Sequence, residues 1–472
     1  MPSFSCAAID LGATSGRVIV GTWAKRQLTL TEVHRFPNQF RPLGKHEYWD
    51  IPYLWDQIRT GLNAARAKFP KIVSVGVDTW GVDYALVDRK GRLVYPVHAY
   101  RDGRTQAGLK RLANKGLSQV YTATGIPNVF YNSSLQLEET VASSPAIEKL
   151  AARCLFLPDY FNFLLSGRME NELSIASTTQ LLDVKSTTWS KKALAHFKVP
   201  ARWFSQPILA GSELGSVAGL PGFEKTKVIA VPGHDTACAY DAMPANADGT
   251  DIYISSGTWS LVGFESDVPV LGDEALRARI ANERIGDGRY RPLTNVIGLW
   301  LLEQTMRDFA TRPSNDREWA ALIDSAEQLP APETLLDVAD PVFGNPPSMK
   351  AAIDAQLKKK KAKSPKDLAG YLRLICASLG QGHATAIRTF ERLADRKFQR
   401  ILIVGGGSKN RLLCQATADA SGLPVVSFQL EGTAVGNIAS QLIALGAVKD
   451  LATFRRYLGD GITQKTFQPR SS

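Results

Sequence analysis

Cysteine, histidine and long apolar runs are all scarce in this chain, and each scarcity removes a class of explanation. The five cysteines (Cys6, Cys154, Cys238, Cys376 and Cys414) are scattered, odd in number and never spaced as CxxC. That pattern fits neither a disulfide framework nor a zinc site, and it suits a reducing cytoplasm. The six histidines form no HExxH or similar cluster, which argues against a transition metal held by protein side chains. No apolar run approaches the roughly 18 residues of a membrane span. Asp10 interrupts the short apolar stretch after Met1 before any signal-cleavage pattern. Also missing are the GKT of a P-loop and the GxGxxG of a dinucleotide fold.

What remains is an ordinary globular composition, with 44% hydrophobic and 21% charged residues. The 472 residues suffice for two or more domains, each burying its own core. Lys and Arg total 56 against 45 Asp and Glu, a net charge of +11, but the charges are dispersed rather than gathered as in a nucleic-acid-binding face. The one basic cluster, Lys358–Lys361 with Lys363 and Lys366, is interrupted by Ser364-Pro365 and reads as a solvated helix end and loop.

The patterning predicts a mixed α/β layer fold. Cys6–Ile9 is a short apolar strand. Arg17–Trp23 and Gln27–His34 flank a turn at Ala24-Lys25-Arg26 as hairpin strands do. Leu54, Ile58, Leu62 and Ala65 recur at helical spacing, and Ile72–Val77 is a further strand. Tyr84–Val87 and Arg92–Val97 are expected to pair across Arg89-Lys90-Gly91. The second half repeats the opening. Ile254–Ser260 (ISSGTWS) echoes Ile9–Ser15 (IDLGATS) with Ile, Gly and Ser shared, each lying between predicted strands. Later, a helix near Asp367–Leu393 precedes a strand, Ile401–Val404, that runs into Gly405-Gly406-Gly407 and a helix from about Asn410. A domain boundary is expected near Tyr240–Gly249, where Pro244, Asn246 and Gly249 interrupt regular structure.

Four segments carry chemistry. Asp10–Arg17 (DLGATSGR) is a turn between strands, able to aim backbone N–H groups and hydroxyls at phosphate oxygens, with a carboxylate placed to hold a hydrated divalent cation. Equally, it reads as a plain hairpin. Gly405–Gly407 lets backbone approach a ligand closely at a helix start, or is merely a flexible connection. Gly233-His234-Asp235-Thr236-Ala237 follows the apolar strand Val228–Val231. It offers either a carboxylate to accept a proton from a hydroxyl or a helix N-cap. Asp78–Asp83 (DTWGVD) is a polar and aromatic surface suited to a sugar, or a tight turn around a buried Trp.

Together these segments resemble the FGGY carbohydrate kinases. DLGATSGR, LPDYF through LSG (Leu157–Gly167), GHDTA, ISSGTWSL (Ile254–Leu261), VGGGSKN (Val404–Asn410) and EGTAVGNIA (Glu431–Ala439) occur in the family's order across nearly the whole chain. Within the family, DTWGVD, Tyr100-Arg101-Asp102, SSGTWSLVGF (Ser255–Phe264) and NVIGLWLL (Asn295–Leu302) are most similar to the branch acting on L-rhamnulose. The resemblance implies two actin-like (ribonuclease H-like) α/β lobes with an interlobe cleft. Residues 1–243 would form a sugar-binding lobe with the catalytic base, and 244–472 an ATP-binding lobe.

It further implies transfer of the γ-phosphoryl group of ATP, with Mg²⁺, to the 1-hydroxyl of L-rhamnulose. Another ketose such as L-fuculose is the alternative. Carried over by motif, Asp235 would be the general base. Thr79, Trp80, Gly81, Asp83, His234, Thr236 and Asn295 would line the sugar site. Ala13, Thr14, Ser15, Gly16, Arg17, Thr258, Glu303, Gly405, Gly406 and Gly407 would surround ATP, and Asp10 would help position Mg²⁺. Glu303 departs from the family, which has Gln there, and an ionised carboxylate can accept hydrogen bonds but not donate them. The expected partners are the ketose and ATP, with neither nucleic acid nor membrane, for a cytoplasmic monomer or homodimer. An actin-like ATP-driven switch protein would explain the glycine turns but not the GHDTA carboxylate or the DTWGVD surface.

Overall fold

The computed structural model describes residues 3–112, 115–246, 248–428 and 431–470. They fall into two units. The first comprises Met1–Pro244, Ser266–Pro292 and Glu431–Gly461, and the second Ala245–Glu265, Leu293–Leu430 and Ile462–Ser472. The first uninterrupted stretch thus ends at Pro244, inside the Tyr240–Gly249 boundary region, of which Ala247 lies outside the described residues. Two later segments then join the first unit.

The first unit is built on strands β1 (Phe4–Leu11), β2 (Ser15–Ala24), β3 (Gln27–Pro37), β4 (Ile72–Thr79), β5 (Glu213–Ser216) and β6 (Lys227–Ile229), in the spatial order β3-β2-β1-β4-β6-β5. β1 to β3 are antiparallel, while β4 runs parallel to β1 and β6 parallel to β4. Six consecutive residues of β1, Cys6–Leu11, are buried, the continuous apolar run expected of a strand covered on both faces. The β2–β3 turn puts Lys25 and Arg26 at φ +50° and +65°. This is the primed geometry that matches strand twist, adopted here without glycine. The helix Ile51–Lys68 buries Leu54, Ile58, Leu62 and Ala65, as their spacing predicts. Asp50 caps it by accepting a hydrogen bond from the Tyr53 N–H at 3.1 Å.

One expected pairing forms only in part. The turn after Val87 closes, with Asp88 N–H donating to Arg92 O at 2.9 Å. Leu93 bridges Val87 and Val94 N–H donates to Leu86 O at 3.0 Å, but the ladder goes no further, and the full strand partner of Tyr84–Val87, on its other edge, is Arg153–Phe156. Pro96 lacks the N–H that a ladder needs, whereas Cys154, Leu155 and Phe156 on that other edge are wholly buried.

The second unit repeats the scheme. Its strands are β7 (Asp251–Ser256), β8 (Trp259–Gly263), β9 (Tyr290–Ile297), β10 (Arg400–Val404), β11 (Val425–Phe428) and β12 (Gln464–Phe467), in the order β9-β8-β7-β10-β11-β12. β9 begins in the first unit's last residues before the boundary. Again three antiparallel strands are followed by two parallel ones. The 26-residue helix Leu368–Leu393, capped by Asp367, packs so closely on Arg411–Ser421 that a Cβ on Gly380 would lie 2.6 Å from the Ala416 carbonyl. Among the described residues no helix is long and apolar enough to cross a membrane.

Candidate active site

In the first unit, parallel pairing brings three distant acidic residues together at the C-terminal ends of strands. Asp10 on β1 is in register with Asp78 on β4. The backbone continues the alignment beyond both strands: Thr79 N–H donates to Gly233 O at 2.9 Å and Trp80 N–H to Leu11 O at 3.1 Å. Asp235 follows two residues after Gly233. Gly233 is held in turn by Glu172, whose buried Oε2 accepts its N–H at 2.9 Å. A Cβ at 233 would meet Pro158 at 2.9 Å and Ile175 at 3.0 Å, so this segment lies against the helices of the Leu157–Ser177 region.

Asp235 is the first residue of the helix Asp235–Asp241. The N-cap position belongs to His234, and no side-chain cap bond is made there. The capping alternative for Asp235 therefore fails. Its carboxylate is 29% exposed, accepts the Thr236 hydroxyl at 3.0 Å and lies 3.4 Å from His234 Nε2. A group that is partly exposed and not committed to the helix end can serve chemistry.

Asp10 and Asp78 are set up differently. Burial pushes the Asp10 pKa up, the Arg17 guanidinium pulls it back, and Asp235 and Glu431 raise it again. Arg17 is engaged on both sides: Nε donates to Asp10 Oδ2 at 2.9 Å, and Nη1 donates to Glu431 Oε2 at 2.5 Å. Asp78 is wholly buried, and burial followed by the charge of Asp10 pushes its pKa well above the ordinary carboxylate range. Its Oδ2 accepts from Asn437 Nδ2 at 2.7 Å, while Oδ1 has no hydrogen-bond partner among the described residues. Asn437 and Gln441 lie on the helix Gly432–Ala444 and tie it to the sheet, Gln441 Nε2 donating to Ala7 O at 3.0 Å.

The β1–β2 turn is short and clamped. Gly12 N–H donates to Ser15 O at 2.9 Å. Asn38, which sequence reasoning passed over, donates its side-chain amide to Gly12 O at 2.7 Å and its backbone N–H to Thr14 O at 3.0 Å. Thr14 is exposed at the tip. Ala13 and Thr14 line a cavity of about 200 Å³ with Phe40, Trp49, Tyr100 and Arg101.

Next to it, the DTWGVD segment folds into a strained turn. Asp83 N–H donates to Gly81 O at 3.0 Å while Val82 takes φ +69°. That is a γ-turn in the left-handed region, a genuine outlier for a β-branched residue. The Ser133 hydroxyl holds it by donating to Val82 O at 2.6 Å. Asp83 is a buried hub: Oδ2 accepts from Trp49 Nε1 (2.6 Å), Trp80 Nε1 (2.9 Å) and Tyr100 N–H (3.1 Å), and Oδ1 from Gln136 Nε2 (3.0 Å). Burial nevertheless outweighs these donors and moves its pKa from 3.8 up to about 6. Thr79 and Trp80 are buried as well, Thr79 donating its hydroxyl to Trp80 O at 2.7 Å. Gly81 faces the His234 ring: a Cβ there would lie 3.2 Å from Nε2.

The remaining candidates belong to the second unit. The turn between β7 and β8 is closed by Gly257 N–H donating to Trp259 O at 2.8 Å, and Thr258 is exposed on it. The glycine triplet packs directly on this turn. Cβ atoms at Gly405 (φ +83°) and Gly407 would fall 2.6 Å from Ser256 O and 2.0 Å from Ser256 Oγ. Only residues lacking a side chain permit that approach. The triplet runs into one 3₁₀ turn, Gly406–Lys409, and then a helix that Asn410 caps by accepting from Leu412 and Leu413 N–H. Asn295 is exposed on β9 opposite Leu261. Glu303 is exposed on the helix Trp300–Asp308 and lines a cavity of about 440 Å³ with Gln304, Arg307 and Arg312, the last 3.9 Å away.

Among the described residues, no three His, Cys, Asp or Glu side chains converge as direct metal ligands. Asp10 and Asp235 supply carboxylates only. That donor set fits Mg²⁺, which keeps several waters and is commonly held by one or two carboxylates together with substrate phosphates.

Comparison with known proteins agrees with this geometry. Residues 6–240 match the N-terminal domain of the FGGY family of carbohydrate kinases, and residues 252–445 match its C-terminal domain. The rhamnulokinase of Enterobacter sp. (strain 638) is 39% identical over 471 residues, 99% of this chain and 94% of that protein. That of Klebsiella pneumoniae subsp. pneumoniae is 38% identical, covering 98% and 94%. Among solved structures, gluconate kinase from Lactobacillus acidophilus superposes with a TM-score of 0.80 at 14% identity, covering 99% of this chain and 94% of that one. Xylulose kinase from Rhodospirillum rubrum gives 0.78 at 17%, with the same coverage. At such identities these structures speak for the fold alone, that of actin-like sugar kinases.

Proposed function

Because the chain belongs to the FGGY family of carbohydrate kinases, we propose that it phosphorylates L-rhamnulose at the 1-hydroxyl, using ATP and releasing ADP. The substrate rests on rhamnulokinases 38–39% identical over almost the full length. The chemistry rests above all on Asp235, a partly exposed carboxylate at a helix start that does not cap it.

In this reading the 1-hydroxyl oxygen attacks the γ-phosphorus, its proton passes to Asp235, and the bond to the ADP oxygen breaks in line. Catalysis of this kind is mostly positioning and charge stabilisation. The backbone N–H groups and hydroxyls of Ala13–Gly16 would cradle phosphate, with Arg17 holding Asp10 in place. Thr258 and Gly405–Gly407 would meet the nucleotide, and Glu303 its neighbourhood. Bound near Asp10, Mg²⁺ would supply positive charge against the phosphate oxygens. Gly81, His234, Thr236 and Asn295 would contact the sugar, while Thr79, Trp80 and Asp83 would shape its site from within. Residues 1–243 would act as the sugar and base lobe and 244–472 as the ATP lobe.

The test is ADP release with Mg²⁺ and ATP across a panel of L-rhamnulose, L-fuculose and other ketoses. L-Rhamnulose should give the highest kcat/KM. A preference for another ketose overturns the substrate, and ATP consumption indifferent to every sugar overturns the kinase reading in favour of a nucleotide-driven switch.

A further inference from the structure

Behind His234, on the side away from Asp235, lies a buried ion pair that no sequence motif announced. Arg291 is wholly buried. Its Nη2 donates to Glu283 and also lies 2.5 Å from His234 Nδ1. Glu283 Oε2 is 3.2 Å from the same Nδ1. Among the described residues, Arg291 Nε and Nη1 have no hydrogen-bond partner. The guanidinium is therefore committed to this one contact, with the Tyr240 ring 5.4 Å away.

Both groups are rigidly mounted. Glu283 sits on the strand Ala281–Arg284 between two anchors: Asn282 donates to Gly125 O at 3.2 Å, and Arg284 N–H donates to Ser177 Oγ at 2.8 Å. Arg291 follows on β9 after a turn closed by Gly288 N–H donating to Ile285 O at 2.9 Å. Burial alone would raise the Glu283 pKa, but the Arg291 charge, with the Arg291 hydrogen bond, holds it down to about 2. Glu283 is thus a permanent carboxylate paired with a permanent cation.

This arrangement decides which ring nitrogen of His234 carries the proton. A guanidinium has five N–H donors and no acceptor. With Nη2 at 2.5 Å, Nδ1 must present its lone pair, because an Nδ1–H would face a donor. The proton then resides on Nε2, the nitrogen near Gly81 and 3.4 Å from Asp235 Oδ1. Without Arg291 the preference would reverse. Nδ1–H would donate to Glu283 directly, and a bare Nε2 would confront the Asp235 carboxylate, acceptor against acceptor.

We infer that Arg291 and Glu283 are positioning residues that hold His234 in its Nε2–H form, aiming a hydrogen-bond donor at a ketose oxygen beside Asp235. The inference rests on the proposed kinase reaction for its substrate, but the tautomer can be tested without any turnover.

Long-range ¹H–¹⁵N correlation spectra of the full-length protein carrying ¹⁵N-histidine, with His234 assigned by its loss in His234→Gln, should show Nε2–H. Nδ1–H, or a doubly protonated ring at neutral pH, overturns the inference whether or not any variant folds. Arg291→Met should convert the ring to Nδ1–H, whereas Glu283→Gln, which keeps Arg291 beside Nδ1, should not. Losing one donor to substrate should lower kcat/KM for the ketose about 10–100-fold in Arg291→Met, with KM for ATP within about twofold of wild type. A folded Arg291→Met protein that keeps Nε2–H or full ketose kcat/KM also overturns it. Should the wild type phosphorylate no ketose, the proposed substrate falls while the tautomer result stands on its own.

Discussion

The two units share one strand scheme and place opposite kinds of group at its strand ends. In each, an antiparallel three-stranded meander is extended by two parallel strands, and the first hairpin turn lies beside the end of the next parallel strand. In the first unit those ends carry Asp10 and Asp78, with Asp235 on the loop alongside. In the second, the corresponding ends carry Ser255 and Ser256 against Val404 and the glycine triplet. The topology supplies a place where backbone ends converge. Side chains decide whether it gathers carboxylates, which handle protons and cations, or strips itself bare so that main chain can approach an anion or a flat base. Fold alone therefore does not locate a base; the side chains around the strand ends have to be read for it.

The sharpest way to break this comparison is at the carboxylates. Asp235→Asn should lower turnover by about 10²–10⁴-fold while KM for ATP stays close to wild type. Near-normal steady-state turnover would mean that the base lies elsewhere.

At the compared strand ends, proton-linked stability should belong to the first unit, since Gly405–Gly407 have nothing to titrate. Asp83 has a folded pKa of about 6 against an ordinary 3.8, so the fold binds its proton more tightly than the unfolded chain does. Its charged form costs stability above pH 6, and that cost is relieved as pH falls from about 6 towards 3.8. The full difference is about 3 kcal/mol. Urea unfolding between pH 7 and pH 4, with Asp83→Asn as control, should isolate this contribution as a rise on acidification. A wild-type profile identical to the control's would remove it.

Asp10→Asn should weaken the Mg²⁺ requirement's grip, raising the half-saturating Mg²⁺ concentration about 10–100-fold with little change in melting temperature. Unchanged Mg²⁺ dependence would exclude Asp10 from that role. The smallest effects separate the two glycine turns. Gly407→Ala forces a Cβ to 2.0 Å from Ser256 Oγ and should cost about 1–3 kcal/mol. In Gly12→Ala the nearest atom is Ser15 O at 3.1 Å, and the cost should be below about 1 kcal/mol. Equal losses in thermal unfolding would show that the turns are packed alike.

The elements themselves were well written in the sequence. The helical spacing of Leu54, Ile58, Leu62 and Ala65, the helix near Asp367–Leu393 and the apolar run of β1 are local patterns, and local patterns survive folding when tertiary burial agrees with them. Arg92–Val97 pairs with Tyr84–Val87 only around Leu93 and Val94, because Pro96 lacks the N–H that would carry the ladder further. At the site, the glycine and carboxylate motifs were legible because each stands at a strand end. The site roles of Glu172, Asn38 and the Glu283–Arg291 pair were not, since each acts on residues distant in the chain and leaves no period or spacing behind. The adjacent charges Glu283 and Arg284 inside the apolar-flanked segment Ile280–Ile285 were the one available hint of that pair.

By itself, then, the sequence determined the strand and helix order, the echo between Ile9–Ser15 and Ile254–Ser260, and the motifs that carry family membership, because these depend on residues close together in the chain. Only the tertiary structure decided that Asp10, Asp78 and Asp235 share one end of a sheet, that Asp235 is not a cap, and that Arg291 stands behind His234. Parallel pairing joins residues at any separation, and burial sets the charge each can hold once they meet.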